Sequence, residues 1–439
     1  MAPNPTIMQA VEQLDYRVTA GDVASQAGLD VKIAEQGLLA LASEAGGHLQ
    51  VSDAGEVAYL FPHNFRGVLQ SKYFRLRLQA LWNKIWGVLF YLIRISFGIA
   101  LIVSIVLVML TIAIILIAIN SSRQDNDNRD DGGGMVFFPR FWIGPDIFWF
   151  FSPNYYSGDY ASRRQRSHRS RDGNRMNFLE SVFSFLFGDG NPNADLEERR
   201  WQAIATVIRN NRGAVAAEQV APYLDISEAE LNREDEDYML PVLTRFDGRP
   251  EVSPEGQIVY HFPELQVTAS DRHIQPVADY LEERLWRFSQ ATSGQITLAT
   301  CLGAFYLVGT LVLGSLLSDG SIAAQLGGLV AFVNGIYGVL LGYAIAFLVV
   351  PLIRFFWLKW RNASIEARNE KRQERADVLH QPNETILRKI AYAKRFAATT
   401  VVNANNLAYT TETNLTEQEL AQKDKIDEEW RRRLESSSS

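Results

Sequence analysis

A twelve-residue pattern occurs twice in this chain and constrains its architecture more than any other feature. Residues 51–62 read VSDAGEVAYLFP and residues 252–263 read VSPEGQIVYHFP. Six of the twelve positions are identical: Val51/Val252, Ser52/Ser253, Gly55/Gly256, Tyr59/Tyr260, Phe61/Phe262 and Pro62/Pro263. A repeat of this kind defines the structural unit. Each copy reads as two short strands joined by a turn over 53–55 or 254–256. Each is closed by a proline, which cannot continue a central strand. A period of two places Val57, Tyr59 and Phe61, and likewise Ile258, Tyr260 and Phe262, on one half-buried face.

Upstream of the first hairpin, residues 6–15 place Ile7, Val11 and Leu14 on one helical face. Thr19 followed by Asp22 fits a capping box that opens a helix over 20–27. Asp30 caps a helix over 31–45 with Val31, Ala34, Leu38, Leu41 and Ala42 as its buried stripe, and Gly46-Gly47 stops it. The order returns over 196–263. A helix over 196–210 turns Trp201, Ile204, Ala205 and Ile208 inward, a second covers 216–224, and a third opens with a capping box from Ser227 to Glu230. The offset between copies grows from 197 (Val23/Val220) to 201 at the hairpin, which places extra residues in or just after the third helix. Three helices and a hairpin in this order resemble the winged helix-turn-helix fold.

Between and after these modules the chain turns apolar. Residues 67–94 are basic and amphipathic, with Lys72, Arg75, Arg77, Lys84 and Arg94, and they feed an uncharged run over 95–122. Residues 295–317 and 322–353 are two more uncharged runs, separated by a turn at 318–321. Each exceeds or matches the roughly 20 residues needed to span a bilayer. The first 80 residues contain no apolar core of signal-peptide type, so the first module is expected to fold before any span is made. Gly327, Ala331 and Gly335, then Gly338, Gly342 and Ala346, fall at helical spacing and predict a small-residue seam for close helix packing. Asn334 is the one amide in that seam.

The remaining stretches are read from composition. Residues 123–195 form a linker with an aromatic interfacial segment (135–151), a basic cluster (163–175) and a short apolar helix over 177–187. The hexamer at 188–193 (GDGNPN) reads as a plain turn rather than a calcium loop, because the other ligand positions are missing. Residues 275–293 are expected as an amphipathic helix and 354–439 as a charged helical tail. The fold class expected is therefore a mostly α membrane protein with two small α+β winged-helix modules over 4–66 and 196–266, arising by internal duplication, and a transmembrane hairpin. Basic residues gather before the first span, within 163–175 and after the last span. The positive-inside rule places all three on the cytosolic or stromal side. Three crossings cannot satisfy that; either a fourth exists or the second module lies opposite.

Chemistry is scarce. The chain has 439 residues, a net charge of -7, one cysteine (Cys301) and six scattered histidines. No Walker loop, GxSxG, HExxH or strand-borne GxGxxG is present, so no enzyme, cofactor or metal is expected. Residues 6–62 carry two basic against eight acidic residues, and 196–264 seven against fourteen. Phosphate neutralisation supplies most non-specific DNA affinity, and residues 233–237 (REDED) would oppose it. Acidic modules of this type are expected to dock protein instead, through the hairpins and third helices: Lys32, Glu35, His48, Glu56, Arg233, Glu236, Gln257 and His261.

The segments FLESVFSFLFGDGNPN (178–193) and EERRWQAIATVIRNNRGAVAAEQVAPYLD (197–225) resemble a little-characterised family of cyanobacterial and plastid integral membrane proteins. The resemblance implies a photosynthetic membrane, thylakoid or plasma. Some plant members carry an iron–sulfur-biosynthesis label. Here Cys301 is the sole thiol and lies in an apolar run, so this chain alone lacks the thiolates to hold a cluster. The expected function is a membrane-anchored scaffold or assembly protein whose partners are membrane lipids and another protein. The alternatives are a membrane-tethered nucleic-acid-binding regulator, which the fold would permit, and a channel or transporter subunit, for which Asn334 and the glycine-rich hairpin speak.

Overall fold

A computed structural model describes residues 4–72, 74–124, 176–231, 233, 235–270, 274–318, 321–403, 406–418, 420, 423, 430, 431 and 434. The aromatic segment (135–151) and the basic cluster (163–175) lie outside the described residues. The chain divides into two units. The first comprises Met1–Leu81, Pro192–Arg284 and Ser364–Ser439; the second comprises Trp82–Asn191 and Leu285–Ala363.

In the first unit the N-terminal module contains α1 (Pro5–Gln13), β1 (Arg17–Thr19), α2 (Ala20–Ala27), α3 (Val31–Ala45), β2 (His48–Ser52) and β3 (Val57–Leu60). The caps act where the sequence places them. Thr19 and Asp22 close a reciprocal capping box on α2, Asp30 accepts from the Lys32 and Ile33 amides, and Gly46 ends α3 at φ 70°. The expected stripe of α3 is buried. A further helix, α4 (Phe65–Lys72), follows, with Phe65 and Leu69 buried.

The second module contains α7 (Leu196–Asn210), β4 (Ala214–Val215), α8 (Ala217–Val220), α9 (Glu228–Leu231), α10 (Leu240–Phe246), β5 (Arg249–Val252), β6 (Ile258–His261), α11 (Pro263–Gln266) and β7 (Val267–Thr268). Its antiparallel strand order, β4-β6-β5, matches β1-β3-β2 in the first. The two hairpin turns also share their bonds. The Ser52 amide donates to the Glu56 carbonyl (2.9 Å) and the Ser253 amide to that of Gln257 (2.8 Å). In return each serine hydroxyl accepts the amide of Glu56 or Gln257, both at 3.1 Å. Gly55 and Gly256 take φ of 84° and 81°, which only glycine adopts without strain. The repeated Ser and Gly are thereby explained by backbone chemistry.

Several expectations are corrected here. The third helix of the second module is not continuous: its capping box at Ser227–Glu230 forms, but α9 stops at Leu231, and a 3-10 turn (Asp237–Met239) precedes α10. The insertion falls in that interruption.

The hairpins are not half-exposed either. Tyr59, Phe61, Tyr260 and Phe262 face the core, yet Ala58 and Val259 on the opposite faces are also buried. The tail covers them. Val267, Ala269 and Val402 pack over Ala58, while Ala393 of α15 (Glu384–Ala393), with Tyr392 and Phe396, packs over Val259. The tail then adds β8 (Thr400–Val401) parallel to β7 and β9 (Leu407–Thr410) antiparallel to β2. It is not simply a charged helical tail.

Thirdly, residues 275–293 form no amphipathic helix; they run irregularly until α12 begins at Ser293. Side-chain amides replace the helical hydrogen bonds. In the first unit Asn210 brackets Gln275, donating to its carbonyl (2.8 Å) and accepting its amide (3.1 Å). Asn369 does the same to Glu283 (2.8 and 2.9 Å), and Asn193 to Arg284 (both 2.8 Å). In the second unit Asn362 brackets Trp286 (both 2.9 Å). A buried backbone must find partners somewhere, and here tertiary partners override helix propensity.

Among the described residues, three helices whose apolar stretches belong to the second unit are long and apolar enough to cross a membrane: α5 (Phe74–Gln124, spanning over Lys84–Ser121), α12 (Ser293–Leu317) and α14 (Gly328–His380). The basic segment over 67–94 is not a separate element, since most of it is the first part of α5. The run over 322–353 is also broken, because α13 (Ser321–Leu326) ends before Gly327, and Gly327 and the first residue of α14, Gly328, are both at positive φ. The helix α6 (Phe178–Phe187) buries Phe178, Val182, Phe185 and Leu186 among the spans.

The predicted glycine seam does not pack them. No described atom lies close to where side chains at Gly335, Gly338 or Gly342 would project, Ala331 is exposed, and Gly327 sits in the break. The close approaches are elsewhere: Gly98 against the Leu179 backbone, Gly303 against Phe347 and Gly314 against Tyr337. Helical spacing alone does not reveal which face a neighbour occupies. Accordingly Gly98→Leu should destabilise the detergent-purified protein by about 1–3 kcal/mol through overpacking, whereas Gly338→Leu should leave its unfolding unchanged; tryptophan fluorescence during thermal unfolding checks both.

Candidate docking surface

The first unit is organised by one carboxylate. Asp22, fully buried on α2, receives Arg209 of α7 at 2.6 Å, the Thr268 hydroxyl at 3.2 Å, and the amides of Thr19 (3.0 Å) and Ala269 (2.9 Å). Arg209 is also tied to the Ser25 hydroxyl (2.7 Å). Burying an ion is tolerable only with such complete partnering. Around this pair α2 and α7 come close. Gly21 lies against the Glu264 carbonyl, and Gly28, at φ 62°, against Glu198 and Trp201. Arg245 donates to the Gly28 carbonyl (3.0 Å) and lies over the Trp201 ring at 4.4 Å. The face of α2 is consequently consumed by the joint between modules.

The eight residues expected to dock a partner divide into three groups. Lys32 and Glu35 on α3 and Glu56 in the first hairpin come together with the end of the second module. Lys32 pairs with Asp247 at 3.2 Å, and Glu264 has its carboxyl raised above the usual range by burial, then by Glu56, Glu35 and Asp247. His48, Glu236 and His261 are instead occupied within the chain. His48 meets the Thr411 carbonyl beside β9 (3.2 Å), His261 contacts Gln266 (3.2 Å), and Glu236 accepts from Lys389 and from the Tyr260 hydroxyl at 2.9 Å. Arg233 stays exposed, paired with Asp237 at 3.5 Å, and the Gln257 side-chain oxygen is buried without a described partner. Of the eight, Lys32, Glu35 and Glu56 are the ones that the structure brings together.

The tail and the irregular segment are held by buried charge that sequence reasoning missed. Lys389, 6% exposed, is bound by Glu218 (2.7 Å) and Glu236 (2.5 Å); burial works against its charge, and the two carboxylates outweigh that to raise its pKa. Arg372, 2% exposed, meets Glu283 (2.8 Å), Asp225 (2.5 Å) and the Leu281 carbonyl (3.0 Å). The Arg368 hydrogen bond, with help from Arg372, holds the Glu283 carboxyl below the usual range despite burial. Asp225 is lowered likewise, its burial offset by Arg372 and Arg200. The basic residues over 361–379 carried no local signal of this, because their partners lie some 85–150 positions earlier in the chain. Among the described residues, no group of three or more His, Cys, Asp or Glu is placed to hold a metal.

Comparison with known proteins adds a relative. An uncharacterized chloroplastic protein of Arabidopsis thaliana is 41% identical over 442 residues, covering 97% of this chain and 81% of the relative. The chain belongs to its family. No protein-family model and no solved structure matches. A chloroplastic relative and three candidate spans fit a plastid membrane protein.

For this family member the joint is the point most sensitive to substitution. Asp22→Ala strands Arg209 in a buried site and should cost about 3–5 kcal/mol. Denaturant unfolding of the purified protein measures it.

Proposed function

We propose that this protein is a membrane-anchored docking or assembly scaffold, in which two acidic winged-helix modules bind a protein partner of cationic surface. One observation supports this best: the first hairpin already acts as a protein-binding edge toward the chain's own tail. Strand β9 extends the first sheet through β2, with the Thr411 amide donating to the Leu49 carbonyl (3.0 Å) and the Leu49 amide to the Thr411 hydroxyl (2.8 Å). A hairpin edge taken up in this way is poorly free for a DNA backbone, and Lys32 is already paired. What stays open nearby, Glu35 and Glu56, is acidic. The relative's chloroplast location makes a photosynthetic membrane complex the natural setting for the partner.

We infer that the three soluble stretches lie on one side of the membrane. At one end of the second unit, Asp189 accepts from Arg94 (2.9 Å), from the Ser184 hydroxyl (2.6 Å) and from the Gln290 amide (2.8 Å). At the same end Arg354 donates to the Ser184 and Phe185 carbonyls (3.2 Å each) and to that of Phe288. Arg94 lies early in α5, Phe288 and Gln290 just before α12, and Arg354 where α14 becomes polar. These contacts within the second unit support a reading in which the chain before α5, the second module and the tail lie on one side of the membrane, the one that the positive-inside rule makes cytosolic or stromal. This favours an even number of crossings.

Two experiments test the proposal. In a Cys301→Ser background, cysteines at Ser43, Glu255 and Glu412 should react with an impermeant maleimide from one side of sealed vesicles and Ser121→Cys from the other. Labelling of Ser43→Cys and Glu255→Cys from opposite sides would remove the topology. In affinity capture after gentle solubilisation, Glu35→Lys with Glu56→Lys should lose a basic partner that the unmodified protein retains; an identical set of captured proteins would refute the docking surface.

A further inference from the structure

The first unit contains a cavity of about 590 Å³ between α2, α7 and α11, within the range of small-molecule sites. Its described lining runs against the charge of the surrounding module. It has two guanidinium groups, Arg209 and Arg212, and no carboxylate, while Leu265 and Ile274 are its apolar members apart from amide and hydroxyl side chains such as Gln26, Gln202 and Thr206. In residues 196–264, by contrast, acids outnumber bases two to one.

The two arginines differ. Arg209 is fixed and compensated by Asp22 (2.6 Å) and Ser25 (2.7 Å), so it contributes rigid donors rather than free charge. Arg212 has a locked backbone. Its φ is 56°, and its carbonyl accepts from the Gln266 side chain (3.0 Å) and the Ala398 amide (3.1 Å). Its guanidinium, exposed at the cavity, has no hydrogen bond or ion pair with a described residue. A guanidinium without a described internal partner is well suited to a phosphate, which it can bind through two parallel hydrogen bonds. Walls of amides and hydroxyls suit a polyhydroxylated body; they offer little to an acyl chain, and the described lining, without carboxylates, offers little to a metal ion.

The geometry points to a binding site for a small, phosphate-bearing, polyhydroxylated molecule, with Arg212 on the phosphate and the Gln and Thr side chains on the hydroxyls. The site stands independently of the docking reading. Because α2 belongs to one module and α7 to the other, its occupant touches both sides of the Asp22–Arg209 joint and should stabilise it.

The test is calorimetric titration of the full-length protein in nanodiscs, at low ionic strength, with ribose 5-phosphate, ribose and inorganic phosphate. Ribose 5-phosphate should bind and raise the unfolding temperature, with ribose and inorganic phosphate each at least tenfold weaker. Arg212→Asn, whose side chain tolerates this φ, should weaken binding at least tenfold without changing the unfolding temperature of the free protein. Thr206→Trp should abolish binding by filling the cavity. Absence of binding by ribose 5-phosphate at millimolar concentration overturns the proposal, as does binding that survives both substitutions. Inorganic phosphate binding as tightly as the sugar phosphate overturns the role given to the polar walls.

Discussion

The buried Asp22–Arg209 pair is the constraint on which the first unit depends. A carboxylate with no exposure to water is stable only if every lone pair finds a donor, and those donors come from distant parts of the chain. Arg209 arrives from α7, while Thr268 and Ala269 arrive from β7 and the residue after it. Since β7 pairs with β8, the same carboxylate sits one strand away from the tail. Glycines at 21 and 28 permit the backbone approach that lets these groups meet. The joint also spends the face of α2, while Lys32 and Glu35 on α3 stay exposed.

A second theme is how the chain satisfies backbone that has left regular structure. Asn193, Asn210 and Asn369 in the first unit, and Asn362 in the second, each mimic a strand partner by donating to and accepting from a single residue. An asparagine side chain has the same donor and acceptor pair as a peptide group, which makes it the natural substitute. Leu281 and Glu283 can then be buried within an irregular segment without orphaned amides. Arg372 and Arg368 neutralise the one carboxylate that this burial would otherwise strand.

Much of this was legible in the residues. Thr19, Asp22 and Asp30 mark helix starts because capping is local chemistry over three or four residues. Ser52, Gly55 and their counterparts mark the hairpin turns for the same reason. The three apolar runs declare themselves by length. The surroundings of the eight candidate residues were not legible: Lys32, Glu35 and Glu56 come together near Asp247 and Glu264, whereas His48, Glu236 and His261 are engaged by the tail and by Gln266. No local pattern in residues 384–411 announces that they will fold back on sheets formed hundreds of positions earlier.

The sequence by itself determined the helix caps, the hairpin chemistry, the apolar runs and the acidic character of residues 6–62 and 196–264, since each follows from neighbours within a few residues. Tertiary structure alone decided that residues 275–293 would not be helical, that Gly98, Gly303 and Gly314 would pack where Gly335, Gly338 and Gly342 do not, and that the Asp22 cap would double as an ion-pair anchor. The reason is physical. Periodicity and capping depend on bonds within one turn or strand, whereas the choice of packed face, and the rescue of buried charge and backbone, depend on groups brought together from elsewhere in the chain.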